Sequence, residues 1–323
     1  MNNRAQAKSE RGIDTFEILL PCDLSVNNVK NIGGQAVIEG VMMKAPSCWT
    51  VAVRDQKGEI HLKRETTKKL PAFLKLPVAR GTVALYQALS IGIKALEFSA
   101  SKAYSDEHEK PMSPLTMGYT IAIAVLIGIG LFIFLPLYAT KLVGQVLDVV
   151  SKSSVVFNVV DGIIRVLIFL SYLFAVGLWK DMRRIFEYHG AEHKVIHAYE
   201  AGRELDVENV RSFSPQHPRC GTSFLLIVMV ISIFMFSFIP QVWPFLEKFL
   251  SRLVLIPMIA GISYELLRLS AKIKHNPVMH ALVLPGLMLQ RLTTREPDDS
   301  QIEVAIVAVK EVLKLEEEHV REA

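Results

Sequence analysis

The sequence predicts a mainly α integral membrane protein, with four transmembrane helices and a cytoplasmic cap containing a small β region and amphipathic helices. Three observations lead there. Hydrophobic residues make up 51% of the 323 and gather in long runs with few or no charges. The connections between those runs alternate between poor and rich in Lys and Arg. The rest of the chain shows strand-like alternation and helical periodicity.

In chain order, residues 1–28 read as a flexible N-terminal tail. The first 20 residues carry Arg4, Lys8, Glu10, Arg11 and Asp14 without an apolar core, so no cleavable signal peptide is expected. Residues 29–112 form a cytoplasmic β/α region. Strands are expected over 35–44, 49–55 and 59–64, with a hairpin turn at Gln56-Lys57-Gly58 between the last two. A helix over 78–100 follows. Residues 113–180 hold transmembrane helices 1 and 2. The first, 117–138, is uncharged; the second, 163–179, carries only Arg165. About 18 or more apolar residues suffice to cross the hydrocarbon core. Asp161 and Arg165 are spaced to pair at the outer end of the second span.

Residues 181–221 form a cytoplasmic histidine-rich helix and loop. Residues 222–270 hold transmembrane helices 3 (223–239) and 4 (253–269), the latter carrying Glu265 and Arg268 near its end. Residues 271–323 comprise an interfacial segment and a C-terminal amphipathic helix. The apolar run 278–289 is too short to span, which makes it interfacial, re-entrant or buried. Ser300 and Glu303 fit a capping box, and Ile302, Ile306, Val309 and Leu313 recur at helical spacing to about Glu318.

Orientation follows from the flanks. The connections 139–162 and 240–252 hold two Lys or Arg each, whereas 180–222 holds seven and the tail from Arg268 holds eight. The rich segments belong on the cytoplasmic side, together with both termini. Net charge is +4 without a basic cluster, which excludes nucleic acid as a partner. Cys22, Cys48 and Cys220 are odd in number and widely spaced, so they make no disulfide framework.

The densest chemistry lies in YHGAEHKVIHAYE, residues 188–200. His189, His193 and His197 are four apart and share one helix face. Neutral imidazoles are good ligands for divalent metals. His189-Gly-Ala-Glu192-His193 also fits H-x-x-E-H, in which two histidines hold zinc and the glutamate takes a proton from water. The bland alternative is a solvated helix whose histidines are simply polar. Topology brings other ligand types to the same depth. His217 and Cys220 precede the third span, and Glu265 lies about 7 Å from the cytoplasmic end of the fourth at 1.5 Å per residue. An intramembrane acid is a functional candidate by default, with snorkelling to the interface as its alternative. Cys22 and Cys48 read as structural. Glu39 reads as a strand residue facing solvent, or as an acid near the site. GGQAVIEG lacks the G-x-G-x-x-G of a dinucleotide site.

Five stretches carry a family resemblance: GGQAVIEGVMMKAP (33–46), YHGAEHKVIHAYEAG (188–202), HPRCGTSFLL (217–226), AGISYELLRL (260–269) and PGLMLQRLTTREPDDSQIEVAI (285–306). Over roughly residues 30–310 the chain resembles the YqhQ-like family of bacterial membrane proteins, the domain of unknown function 1385. That family is described as predicted metal-dependent enzymes. The resemblance implies a bacterial inner-membrane location and strengthens the expectation of a metal; it implies no substrate.

Two functional readings result. In the first, the chain is a metal-dependent membrane enzyme, most simply a hydrolase. His189 and His193 bind a divalent ion, for choice zinc. His217, Cys220 or Glu265 completes the set, and Glu192 is the catalytic base. The substrate is a lipid head group or a membrane-protein segment met at the cytoplasmic face of the bilayer. In the second, the same residues form a closed structural metal site or a polar cluster in a non-catalytic scaffold that binds a membrane-protein partner. A transporter fits less well, because intramembrane charge is sparse and no pair of broken helices is evident.

Overall fold

The computed structural model describes residues 32–67, 71, 74, 76–104, 114–218, 220–240, 242–272 and 277–322, with 114, 270–272, 277–283 and 322 described by backbone alone. The expected N-terminal tail and Cys22 lie outside the described residues.

Four strands form an antiparallel meander: β1 (Gly33–Val37), β2 (Gly40–Lys44), β3 (Cys48–Arg54) and β4 (Ile60–Thr66), in that spatial order. The expected single strand over 35–44 is therefore a hairpin. It turns at Ile38-Glu39, with Val37 opposite Gly40 and Glu39 at a positive φ of 50°. The turn escapes notice in the sequence because Ala36-Val37-Ile38 and Val41-Met42-Met43 read as one apolar run. That run is apolar because the sheet is covered on both faces. Side chains alternate between the faces. Val41, Met43, Cys48 and Ala52 pack on one side against helices α6 (Lys180–Glu200) and α11 (Asp299–Glu322). Val37, Met42, Trp49, Val51 and Val53 pack on the other against α1 (Ala79–Ala103).

The expected hairpin turn at 56–58 is present, with Gly58 at φ 87° and the Asp55 carboxylate accepting the backbone N–H groups of Lys57 and Glu59. The cap of the final helix lies two residues before the expected one. Asp298 and Gln301 bond reciprocally, each backbone N–H to the other's side chain at 2.9 Å, so the capping box is Asp298-x-x-Gln301 and not Ser300–Glu303.

The rest is helical: α2 (Pro114–Ile129), a π-helical turn (Gly130–Phe134), α3 (Leu135–Val146), α4 (Asp148–Lys152), α5 (Ser154–Val176), α7 (Val207–Arg211), α8 (Gly221–Phe236), α9 (Phe245–Lys272) and α10 (Pro277–Thr293). Two helices are long and apolar enough to cross a membrane: the continuous Leu115–Val146, and Ser154–Val176. They contain the first two expected spans, 117–138 in full and 163–179 except for its last three residues. The third coincides with α8, apolar but only 16 residues long; the fourth lies within the 28 residues of α9, which carry charges at both ends and Pro257 inside. The short apolar run 278–289 is part of α10.

Asp161 and Arg165 pair as expected, 2.5 Å apart. The sequence gives no hint that Arg252 of α9 also reaches Asp161, at 2.6 Å, or that it donates to Asn158. This buried network ties α5 to α9. Arg165 adds α8 by donating to Ser232 at 2.7 Å.

Candidate functional site

Helix α6 places the site. It is not a solvated helix: every residue from Gly190 to Ile196 is buried. Its sides are taken by the sheet, by α11, by the loop after α7 and by the segment after α10. It ends where Gly202 adopts a left-handed φ of 65° and Arg203 N–H returns to the Ala198 carbonyl. Two glycines let backbones close on it. A Cβ at Gly190 would run into the carbonyl of Arg295. A Cβ at Gly34 would meet the Met42 carbonyl oxygen at 2.7 Å and Glu192 Cδ at 2.9 Å.

The structure brings His189, His193 and Cys220 together, with ligand-type atoms all within 4.8 Å of one another. His189 Nε2 is 3.3 Å from Cys220 Sγ, and the two histidine rings are 4.4 Å apart. Carbonyls only accept, so the imidazole nitrogens facing them must carry the protons. His189 Nδ1 donates to Thr293 O at 2.8 Å, and His193 Nδ1 donates to Pro215 O at 2.7 Å. In each neutral ring the lone pair then sits on Nε2, the arrangement that fixes metal-binding histidines. Burial, with His189 adding to it, holds the His193 pKa well below its ordinary value and keeps that ring neutral.

Cys220 caps α8. Its sulfur accepts from Thr222 N–H at 3.4 Å and lies 3.2 Å from the Thr222 hydroxyl. Burial pushes its thiol up in pKa, and the two Thr222 contacts oppose that. Two imidazoles and a thiol suit zinc, whose bonds of about 2.0–2.3 Å set ligand separations of roughly 3.3–3.8 Å. The His189 Nε2–Cys220 Sγ distance of 3.3 Å lies at the lower end of that range, and the other separations lie within 4.8 Å.

Glu192 stands beside this trio. It receives the Gly34 N–H, and its Oε2 is buried without a hydrogen-bond partner among the described residues. Burial raises its carboxyl to about 8; His189 opposes the rise and Cys220 adds to it. A carboxyl poised near neutrality, with one oxygen uncommitted, can give or take a proton.

The other expected residues are placed differently. His217 lies beyond His193, its ring centroid 5.8 Å away, and 4.4 Å from His197. Burial lowers its pKa to about 4, so its 3.5 Å approach to Glu200 joins a carboxylate to a neutral ring. His197 turns Nε2 to the Gln216 carbonyl at 2.8 Å. Glu265 is not brought to the histidines. Arg80 of α1 holds both its oxygens, one at 2.6 Å, and the carboxylate fastens α1 to α9. Position along a helix does not by itself say which neighbour a helix face meets. Glu39 sits at the hairpin turn and pairs with Arg184, with Tyr188 OH donating at 3.3 Å.

Several positioning residues carry no ligand-type signal and escape sequence reasoning. Gln290 holds His217 by both backbone groups, at 2.8 and 2.9 Å. Thr293 orients His189. Lys194 is buried, donating to the Arg211 carbonyl at 2.8 Å and pairing with Glu296. Asp55, Glu59 and His61 also cluster, but the hairpin turn explains them, with His61 Nε2 2.8 Å from Asp55.

Fold and site together define a mostly helical protein with two helices of membrane-crossing length, a small sheet, and a buried His-His-Cys group beside a glutamate. The family model described as "Protein of unknown function (DUF1385)" matches residues 76–315, and the chain belongs to that family. It is similar to a protein of Bacillus subtilis (strain 168) described as "Uncharacterized protein YqhQ", at 34% identity over 302 residues, 88% of this chain and 92% of that one. No solved structure matches it.

Proposed function

We propose that the chain is a metal-dependent membrane enzyme, most simply a hydrolase, with a divalent ion held by His189, His193 and Cys220. The observation that carries this reading is the convergence of two imidazoles and a thiol beside the uncommitted oxygen of Glu192. When bound, zinc would supply a Lewis acid that polarises water or a carbonyl. Three protein ligands would leave room for a water or substrate on such an ion, as catalytic zinc sites do. Glu192 takes a proton from water and returns it to the leaving group. Thr293 and Pro215 hold the two rings in one tautomer. The apolar surroundings that raise the Glu192 carboxyl also exclude bulk water.

The membrane part of the reading has four spans, at 117–138, 163–179, 223–239 and 253–269, with both termini and the sheet on the cytoplasmic side. The two long apolar helices and the Lys/Arg bias of the short connections support it. A bacterial cell membrane suits the family resemblance. The substrate would be a lipid head group or a membrane-protein segment, met where α6 leaves the bilayer. The burial of His193 and Cys220, 2% and 6% exposed, favours a second reading, a closed structural site in a scaffold for a membrane-protein partner.

Metal analysis of the purified full-length chain tests the centre. About one equivalent of a divalent ion is expected. It should be lost from H189A, H193A and C220A and kept by E265A. A metal-free wild type, or a triple variant that retains its metal, sinks the proposal.

A further inference from the structure

Helix α1 has three sides. One is buried: Ile91, Ala95 and Ala103, with the partly buried Phe98, pack on the sheet at Val37, Met42, Trp49, Val51 and Val53. The second is apolar but open. Tyr86, Leu89, Ile93 and Leu96 are three and four residues apart and so share a helix face. All four are exposed, Tyr86 at 72% and Leu89 at 59%. Thr82 and Ala100 extend the row at the same spacing without adding a charge. Gln87, Ser90, Lys94 and Ser101 form the third, polar side, where Lys94 pairs with Glu65 at 3.1 Å.

The start of α1 says what the open row meets. The first turn crosses α9. A Cβ at Gly81 would meet Gly261 Cα at 2.9 Å, Thr82 Oγ1 donates to the Pro257 carbonyl at 2.9 Å, and Arg80 holds Glu265. Val78, just before the helix, takes a left-handed φ of 66°, an unfavourable conformation for a β-branched residue. Its N–H reaches Glu265 Oε1 at 3.4 Å, so the contact with α9 fixes how α1 sets off. Thr82 belongs to the row, and the row therefore begins on α9.

Pro257, Gly261 and Glu265 are spaced by four and share one face of α9. Toward the start of α9 the same face continues through Met258, Val254 and Leu250, all exposed, Val254 at 77%. In the four-span reading that is a surface facing lipid, and α1 crosses it at its cytoplasmic end.

We propose that α1 lies along the cytoplasmic leaflet, with Tyr86, Leu89, Ile93 and Leu96 seated in the bilayer and Lys94 turned toward water. The row continues the lipid-facing surface of α9, and the occupant of both is the bilayer. A helix with one apolar face seats about 5–10 Å into the boundary between head groups and acyl chains. Tyr86, an apolar ring with a polar tip, suits that boundary. The inference rests on the membrane reading above and is independent of the metal. It also bears on the site, because α1 carries β1. A Cβ at Gly92 would meet Gln35 Oε1 at 2.8 Å, and Gly34, next to Gln35, donates its N–H to Glu192. A seated α1 holds Glu192 at a fixed height above the leaflet.

The test uses the full-length chain in nanodiscs of phosphatidylglycerol and phosphatidylcholine. With Cys22 replaced by Ser, spin labels go on L89C, L96C and K94C of α1 and on V125C of α2; the remaining thiols, Cys48 and Cys220, are buried. Collisions with oxygen, which dissolves in lipid, are compared with those of a water-soluble nickel chelate. The oxygen-to-nickel ratio should be about threefold higher at 89 and 96 than at 94. Equal ratios at the three α1 positions overturn the proposal. So does shielding of 89 and 96 from both reagents, and dipolar broadening would then show a second copy to be the cover. V125C reports on the membrane reading. If it is as open to nickel as K94C, that reading falls and α1 with it; if it lies in lipid while 89 and 96 do not, α1 alone falls. The unsubstituted chain gives a second readout, in discs whose lipids carry a photoreactive group on the acyl chain. The tryptic peptide 81–94 should be cross-linked to lipid, and an unmodified 81–94 beside a modified α2 overturns the proposal.

Discussion

Glu192 has two neighbours that pull it in different directions. The Gly34 N–H holds one end of the carboxyl in place, while Oε2 lies buried and uncommitted near His189 and Cys220. A structural carboxylate in so apolar a place would normally spend both oxygens on donors, since an unmade bond costs about 1–3 kcal/mol. A group that must pick up and release a proton keeps one oxygen back. Glu192→Gln preserves shape and can still accept the Gly34 N–H, so the variant should fold and hold its metal. If the centre is catalytic, turnover of head-group or peptide substrates should fall about 10²–10⁴-fold, the usual worth of a positioned acid or base. A variant that keeps both metal and turnover marks the closed structural site.

At the scale of elements, what could be read from the sequence depended on whether a pattern was local. The helical repeat of Ile302, Ile306, Val309 and Leu313 is local, and α11 follows it. So is the i,i+4 pairing of Asp161 with Arg165. The β1–β2 turn was hidden because Ile38 and Glu39 carry no Gly, Asn or Asp to mark it. Its left-handed residue is held by tertiary partners, Arg184 and Tyr188. Among ligand types, His189, His193 and Cys220 were legible from spacing and topology; Gln290 and Thr293 act through backbone groups and carry no ligand signature. The cap of α11 was misplaced by two residues because Asp298 and Ser300 are both good N-caps. The geometry chooses Asp298, and Asp298→Ala should cost about 1 kcal/mol, seen as a lower melting temperature in detergent. Partial burial raises the Asp298 carboxyl, but the Ser300 and Gln301 hydrogen bonds and the Arg184 charge bring it below its ordinary 3.8. A depressed carboxyl stabilises the fold above its unfolded-state value and loses that contribution as pH falls through the folded-state one. The gap between wild type and D298A should therefore be constant near neutrality and close below pH 3.8.

At the scale of the whole molecule, the histidine cluster fixes which helix ends lie together. The histidine cluster lies where α6, α8 and α10 meet the sheet region. Only an even number of crossings between Lys180 and residue 277 returns the chain to the sheet, since α6 and the end of α10 both contact the site through His189 and Thr293. Helix α8, at 16 residues, reaches about 24 Å at 1.5 Å per residue and falls short of a hydrocarbon core of about 30 Å. It can cross only if Ser237–Ile239 and the local bilayer make up the difference, at a modest cost in mismatch. Cysteine labelling resolves this. With Cys22 replaced by Ser, Cys48 and Cys220 are both buried and give a quiet background. A Cys at Val242, 90% exposed, should react with a membrane-impermeant maleimide in intact cells. A Cys at the exposed Glu204 should react only after lysis. If both positions label only after lysis, α8 and α9 form a cytoplasmic or re-entrant hairpin, and the protein has two crossings instead of four.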